Sequence, residues 1–112
     1  MAVAQRDEIP PGTLYMLILK TLGRGGEMHG YEIANSIQRI SDEILQVEEG
    51  SLYPALQRML IKGWVTAEWG VTSGNRRARY YRLTAAGHKQ LRSELEQYRR
   101  ITGAIQKIIQ IA

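Results

Sequence analysis

Two short stretches of this chain carry side chains suited to hydrogen bonding with a polyanion. Residues 48–64 contain Ser51, Gln57, Arg58 and Lys62. Gln and Arg can pair two hydrogen bonds with the edge of an adenine or a guanine, Ser can donate to a base or a phosphate, and Lys suits a phosphate. Further on, Arg76-Arg77-Ala78-Arg79-Tyr80-Tyr81-Arg82 sets four guanidinium groups within seven residues. Residues 1–68 hold six basic and nine acidic side chains, whereas residues 69–93 hold six basic and no acidic ones. Charge of one sign gathered in one segment draws a polyanion to a surface. A lone cluster of this kind more often marks a solvated ribbon, so its meaning depends on the elements that hold it.

Periodicity and breakers delimit those elements. Residues 1–11 are polar, mixed in charge and end in Pro10-Pro11, which predicts a flexible arm. Thr13 is placed to cap a first helix running to about Leu22, and Gly23-Arg24-Gly25-Gly26 stops it. A second helix is predicted over 30–40, a short first strand over 44–47, and a third helix from Gly50 or Ser51, with Pro54 tolerated in its first turn. On that third helix Leu52, Leu56, Met59 and Leu60 share one stripe. Ser51, Pro54, Arg58, Ile61 and Lys62 fall opposite, with Gln57 on the flank and Tyr53 at the border of the stripe. Residues 64–69 alternate as a strand, 70–75 form a loop, and 77–83 form the returning strand. Thr84 then caps a last helix running almost to the end. A short helix followed by a basic two-stranded ribbon is the layout of a winged helix-turn-helix, in which the helix enters the major groove of DNA and the ribbon tip touches the backbone. The expected fold is mainly α with a small β-hairpin. It divides into an arm (1–11), a winged helix-turn-helix (12–84) and a C-terminal dimerisation helix (85–112).

Composition narrows the alternatives. With 112 residues, 44% of them hydrophobic and 23% charged, the chain predicts one globular domain with a modest core. No apolar run predicts a membrane span or signal peptide, and the lack of cysteine fits the cytoplasm. An enzyme is not expected. His29 and His88 are the only imidazoles, and they read as a helix-start residue and a solvent-facing one. Glu48-Glu49 charge the entrance of the third helix, where the helix dipole favours anions. Residues 23–26 lack the Gly-Lys-Ser/Thr ending of a phosphate loop and follow a helix, not a strand. Neither a metal nor another cofactor is expected. The rival that survives is a winged helix used for protein contacts, kept open by the outward Ile61 and opposed by the acid-free ribbon.

The last helix carries a second signal. Leu91, Leu95, Tyr98, Thr102, Ile105, Ile109 and Ala112 follow alternating steps of four and three, a coiled-coil seam broadened by Ile101 and Ile108. At 1.5 Å per residue the helix would reach roughly 40 Å, longer than a small domain covers. A second copy of the chain, also touching the first helix, is the simplest cover for its isoleucines; the alternative is that the helix folds back on its own domain. Tyr15, Met16 and Tyr98 are candidates to line an apolar space between protomers that suits a small aromatic effector, with plain interface packing as the simpler reading. Trp64 and Trp69 are expected to pack on their strand.

Four motifs are shared with a known family. Met28-His29-Gly30-Tyr31-Glu32-Ile33-Ala34, Val47-Glu48-Glu49-Gly50-Ser51-Leu52-Tyr53-Pro54-Ala55-Leu56, Lys62-Gly63-Trp64 and Arg79-Tyr80-Tyr81-Arg82-Leu83-Thr84-Ala85-Ala86-Gly87 resemble, in order, the PadR family of bacterial transcriptional regulators. The short C-terminal part is similar to the subfamily with a single terminal helix. The resemblance implies a homodimeric repressor on a palindromic operator of double-stranded DNA, released in some relatives by a small molecule. By position it implies that Ser51 and Tyr53 face DNA, that His29 and Tyr31 lie near phosphates at the start of the second helix, and that Asn75, Arg76 and Arg77 form the wing tip.

Overall fold

The apolar stripes of four helices converge on one core, described by a computed structural model for residues 7–9 and 12–111. The elements are β1 (Asp7–Glu8), α1 (Leu14–Gly25), β2 (Met28–His29), α2 (Gly30–Ile40), β3 (Leu45–Gln46), α3 (Glu49–Ile61), β4 (Val65–Val71), β5 (Arg77–Leu83) and α4 (Ala85–Ile109). Ile18, Leu19 and Leu22 of α1, Ile33 of α2, and Leu52, Leu56 and Met59 of α3 are fully buried and meet Val65, Tyr81 and Leu83 of the hairpin. Burying each of the larger aliphatic side chains contributes about 1.5–3 kcal/mol. The fold is a winged helix-turn-helix with a long C-terminal helix.

Several boundaries differ from expectation for physical reasons. α1 runs through Gly23, and the missing Cβ there lets Leu91 of α4 come close: a Cβ would stand 3.2 Å from Leu91 Cδ2. The stop falls at Gly26, whose φ of 75° favours glycine and whose N–H reaches Leu22 O at 2.9 Å. Thr13 takes the N-cap position, but its side chain makes no capping bond. α3 starts earlier than Gly50, because the extended Glu48 turns its carbonyl to the N–H groups of Ser51 and Leu52 at 3.0 and 2.9 Å. Pro54 therefore lies in the second turn, and the Gly50 carbonyl it deprives is at an exposed position where solvent can satisfy it.

The sheet also departs from expectation. β4 and β5 pair antiparallel from Val65↔Leu83 to Val71↔Arg77, so the strand extends past the Gly70 at which the loop was expected to start. The third strand of this sheet is β2, with Met28↔Tyr81 and His29↔Tyr80. The segment at 44–47, expected as the small first strand, instead pairs in parallel with the N-terminal segment through Asp7↔Leu45 and Glu8↔Gln46. The expectation of a flexible arm over 1–11 is corrected to that extent: Asp7–Glu8 are held by backbone pairing, while residues 1–6, 10 and 11 lie outside the described residues.

Thr84 locks the hairpin to α4. Its hydroxyl donates to Gly63 O at 2.6 Å and accepts from Gly87 N at 3.0 Å. Gly87 has no substitute here, since a Cβ would run into the Trp64 carbonyl. α4 buries Gly87 and Leu91, and Leu95 packs partly on the core. Tyr98, Ile101, Ile105, Ile108 and Ile109 are 45–72% exposed. Thr102 is half-buried, and Ala112, the last position of the expected seam, lies outside the described residues. Among the described residues no helix is long and apolar enough to cross a membrane, and no cluster of three or more His, Cys, Asp or Glu could hold a metal ion.

Candidate nucleic-acid interface

His29 joins two elements: it pairs with Tyr80 across the sheet and caps α2. Its Nδ1 accepts the Glu32 N–H at 3.3 Å, and the Glu32 carboxylate accepts the His29 N–H at 3.1 Å. This is a capping box with imidazole in place of a hydroxyl, and it fixes the N-terminal end of α2, whose dipole favours anions. One residue on, Gly30 makes room for α3. A Cβ there would stand 2.8–3.0 Å from the Tyr53 ring, so the ring lies directly on the first turn of α2. Tyr31 projects into solvent with its ring stacked at 6.5 Å on His29.

The wing approaches from the other side. Its turn is closed by Thr72 N–H to Arg76 O at 2.8 Å and Asn75 N–H to Thr72 O at 2.9 Å, with Asn75 at φ 62°, a left-handed conformation that asparagine tolerates. Strand alternation puts Trp69, Arg77 and Arg79 on one face. The Arg77 and Arg79 guanidinium groups lie 4.7 and 5.8 Å from the centre of the Trp69 ring. Such cation–π contacts hold long cationic side chains in place.

Together these parts line an open cleft of about 740 Å³ that includes His29, Tyr31, Tyr53, Arg76 and Arg77. Arg79 and Tyr81 also border it. Arg79 Nε is buried with no hydrogen-bond partner among the described residues, so its donor stays open. Burial pushes the Tyr81 hydroxyl above its ordinary 10.0, opposed by the Arg79 charge and reinforced by Tyr53.

The other residues expected at a DNA surface stand outside this lining. Ser51, Gln57 and Arg58 are exposed on α3, Lys62 is exposed at its C-cap, and Asn75 is exposed at the wing tip. Arg58 turns toward α1, with Nη1 3.5 Å from the Tyr15 hydroxyl, and Lys62 Nζ lies 5.2 Å from the Trp64 ring. Tyr15 packs edge-on against Trp64 at 5.9 Å. Of the expected grouping of Tyr15, Met16 and Tyr98, Met16 and Tyr98 line a cleft between α1 and α4 within one chain, and Tyr15 packs on Trp64 beside it. Consecutive helical residues point about 100° apart, so Tyr15 and Met16 serve different faces.

Sequence reasoning missed Trp69 and the close approach of Tyr53 that Gly30 permits. Trp69 was expected to pack on its strand, yet it is 61% exposed and organises two arginines. The signal that could have found it is cross-strand register: once the hairpin is set, Trp69 must oppose Arg79.

Comparison with known proteins adds an independent line. Residues 18–93 match the profile of the Transcriptional regulator PadR-like family. An uncharacterized protein of Lysinibacillus sphaericus is 33% identical over 90 residues, 80% of this chain and 81% of that protein. The structure of a transcriptional regulator from Clostridium thermocellum superposes with a TM-score of 0.80 at 29% identity, covering 88% of this chain and 95% of that one. Bacillus subtilis PadR, solved in complex with operator DNA, superposes with a TM-score of 0.66 at 26% identity, covering 77% of this chain and 48% of that one.

Proposed function

Starting from the PadR-like family of transcriptional regulators, to which this chain belongs, we propose that the protein is a homodimeric, sequence-specific DNA-binding repressor acting on a palindromic operator. The observation that carries this reading is the cleft in which His29, Tyr31 and Tyr53 meet Arg76 and Arg77. Donors, a helix N-terminus and arginines converge there on a space open to a phosphate backbone. The operator complex of Bacillus subtilis PadR supports it by likeness of fold.

In this reading residues 12–84 are the DNA-binding unit. Gln57 and Arg58 read base edges, Ser51 and Lys62 flank them, and Asn75, Arg76 and Arg77 grip phosphates. Residues 85–112 form the dimerisation helix through Leu91, Leu95, Tyr98, Thr102, Ile105 and Ile109. The cleft at Met16 and Tyr98 is where a flat aromatic effector would enter the interface.

A salt titration of binding to duplex DNA from the protein's own promoter tests this reading. Affinity should fall steeply, with a log–log slope of about −0.9 per phosphate neutralised. A salt-independent affinity would point instead to a winged helix for protein contacts, the reading that Ile61, 76% exposed on α3, favours.

A further inference from the structure

One guanidinium of the cleft differs from the others. Arg76 and Arg77 are exposed at the wing, whereas Arg79 is half-buried two positions further along β5. Among the described residues, its Nε is the one buried side-chain nitrogen or oxygen without a partner. Arginine presents five N–H donors in a fixed fork and keeps its charge, so a buried donor left open is costly until an acceptor reaches it. No carboxylate is placed to serve. The cleft lining holds neither Asp nor Glu. Glu68, the one acid of the hairpin, opposes Tyr80 and so falls on the other face of the sheet by strand alternation. Glu32 is engaged with His29.

Trp69 holds this guanidinium without using its donors. The two residues lie directly opposite in the ladder, and the Arg79 guanidinium carbon is 5.8 Å from the centre of the ring. An aromatic face attracts the charge of a guanidinium and leaves its N–H edge free. On the facing wall, the Tyr53 hydroxyl lies on the first turn of α2, 2.9 Å from where a Gly30 Cβ would stand. The Tyr81 hydroxyl responds to both the Arg79 charge and Tyr53, which brings the three groups to one end of the cleft. A half-buried cation with an open edge, a phenol donor and a helix N-terminus are together complementary to a phosphate oxyanion.

We propose that Arg79 anchors one phosphate of the DNA backbone inside the cleft through its Nε, with the Tyr53 hydroxyl as a second donor and Trp69 as the positioning residue for the guanidinium. The proposal rests on the DNA-binding reading, and its test keeps the two apart. Affinity and its salt dependence are measured on duplex DNA from the protein's own promoter. Arg79→Lys keeps the charge but puts a methylene where Nε stood. It should bind about tenfold more weakly at an unchanged salt slope, the loss of one charge-assisted hydrogen bond. Arg79→Gln should also lower the slope by about one unit. Arg77→Lys, at an exposed position, should lose less than Arg79→Lys. Trp69→Leu should weaken binding about threefold, and Trp69→Tyr should restore it. The Trp69→Leu loss should shrink in an Arg79→Gln background, because Trp69 acts through Arg79. Steeply salt-dependent binding in which Arg79→Lys equals the wild type would overturn the proposal and leave the DNA-binding reading standing. A Trp69→Leu loss that persists in full without Arg79 would do the same. Salt-independent binding by the wild type would overturn both.

Discussion

Helix α3 and the C-terminal half of α4 each turn a face to solvent, yet they leave opposite chemistry outside. α3 buries Leu52, Ala55, Leu56 and Met59 within its own domain and exposes Ser51, Tyr53, Gln57 and Arg58, with Lys62 exposed at its C-cap and Ile61 its one large aliphatic exception. Beyond Leu95, α4 leaves Ile101, Ile105, Ile108 and Ile109 49–72% exposed among the described residues. Even Gly103, which costs a helix about 1 kcal/mol relative to Ala, meets no other atom that a Cβ would touch. A helix complete within its domain can offer polar groups to a polyanion. A helix that leaves isoleucines outside calls for an apolar partner, which in the proposed reading is the same helix of a second copy.

The sharpest way to break this contrast is to remove the incomplete half. Deleting residues 98–112 should leave a folded monomer and weaken operator binding by about 10²–10⁴-fold, the gain that linking two binding modules provides. Light scattering and a binding isotherm check both, and a full-length chain that is monomeric at micromolar concentration would contradict the assignment of α4.

At the polar end, Gly30→Ala should cost about 1–3 kcal/mol in urea unfolding, because the added methyl meets the Tyr53 ring. The cost should shrink in a Tyr53→Ala background, since the two positions are in contact. An undiminished cost would mean that the ring contact is not its source.

Among the side chains facing outward, Arg58→Ala should alter which sequence is preferred, at about 1–3 kcal/mol if it reads a guanine. Arg76→Ala and Arg77→Ala should instead weaken all sequences alike and lower the salt slope by about one unit each. Reversed behaviour would swap the roles assigned to α3 and the wing.

The smallest effect concerns Tyr81. Its folded pKa is raised by burial, so the stability it contributes is full below the ordinary 10.0 and is lost as pH rises through the raised value. Tyr81→Phe should flatten this alkaline decline in a series of thermal melts.

Much of this arrangement was legible in the sequence. The 3.6-residue stripe on α3, the alternation from Val65 to Trp69 and the Thr84 cap each carry a local signal, and each local preference agrees with the packing. β2 had none, because two residues cannot show alternation, and Met28–His29 become a strand only through Tyr80 and Tyr81, some 50 positions away. The pairing of Asp7–Glu8 with Leu45–Gln46 is hidden for the same reason. The site was legible as residue types but not as a shape. Tyr53 resting on Gly30 and Trp69 held between two arginines depend on tertiary approach and register.

The central claim is that two cationic clefts, carried by two copies joined through α4, address one DNA. Hydroxyl-radical footprinting of the full-length protein on its own promoter tests this most directly. The account predicts two related protected segments on one face of the duplex, about 34 Å apart from centre to centre, over a near-palindromic sequence. A single asymmetric protected segment would contradict it.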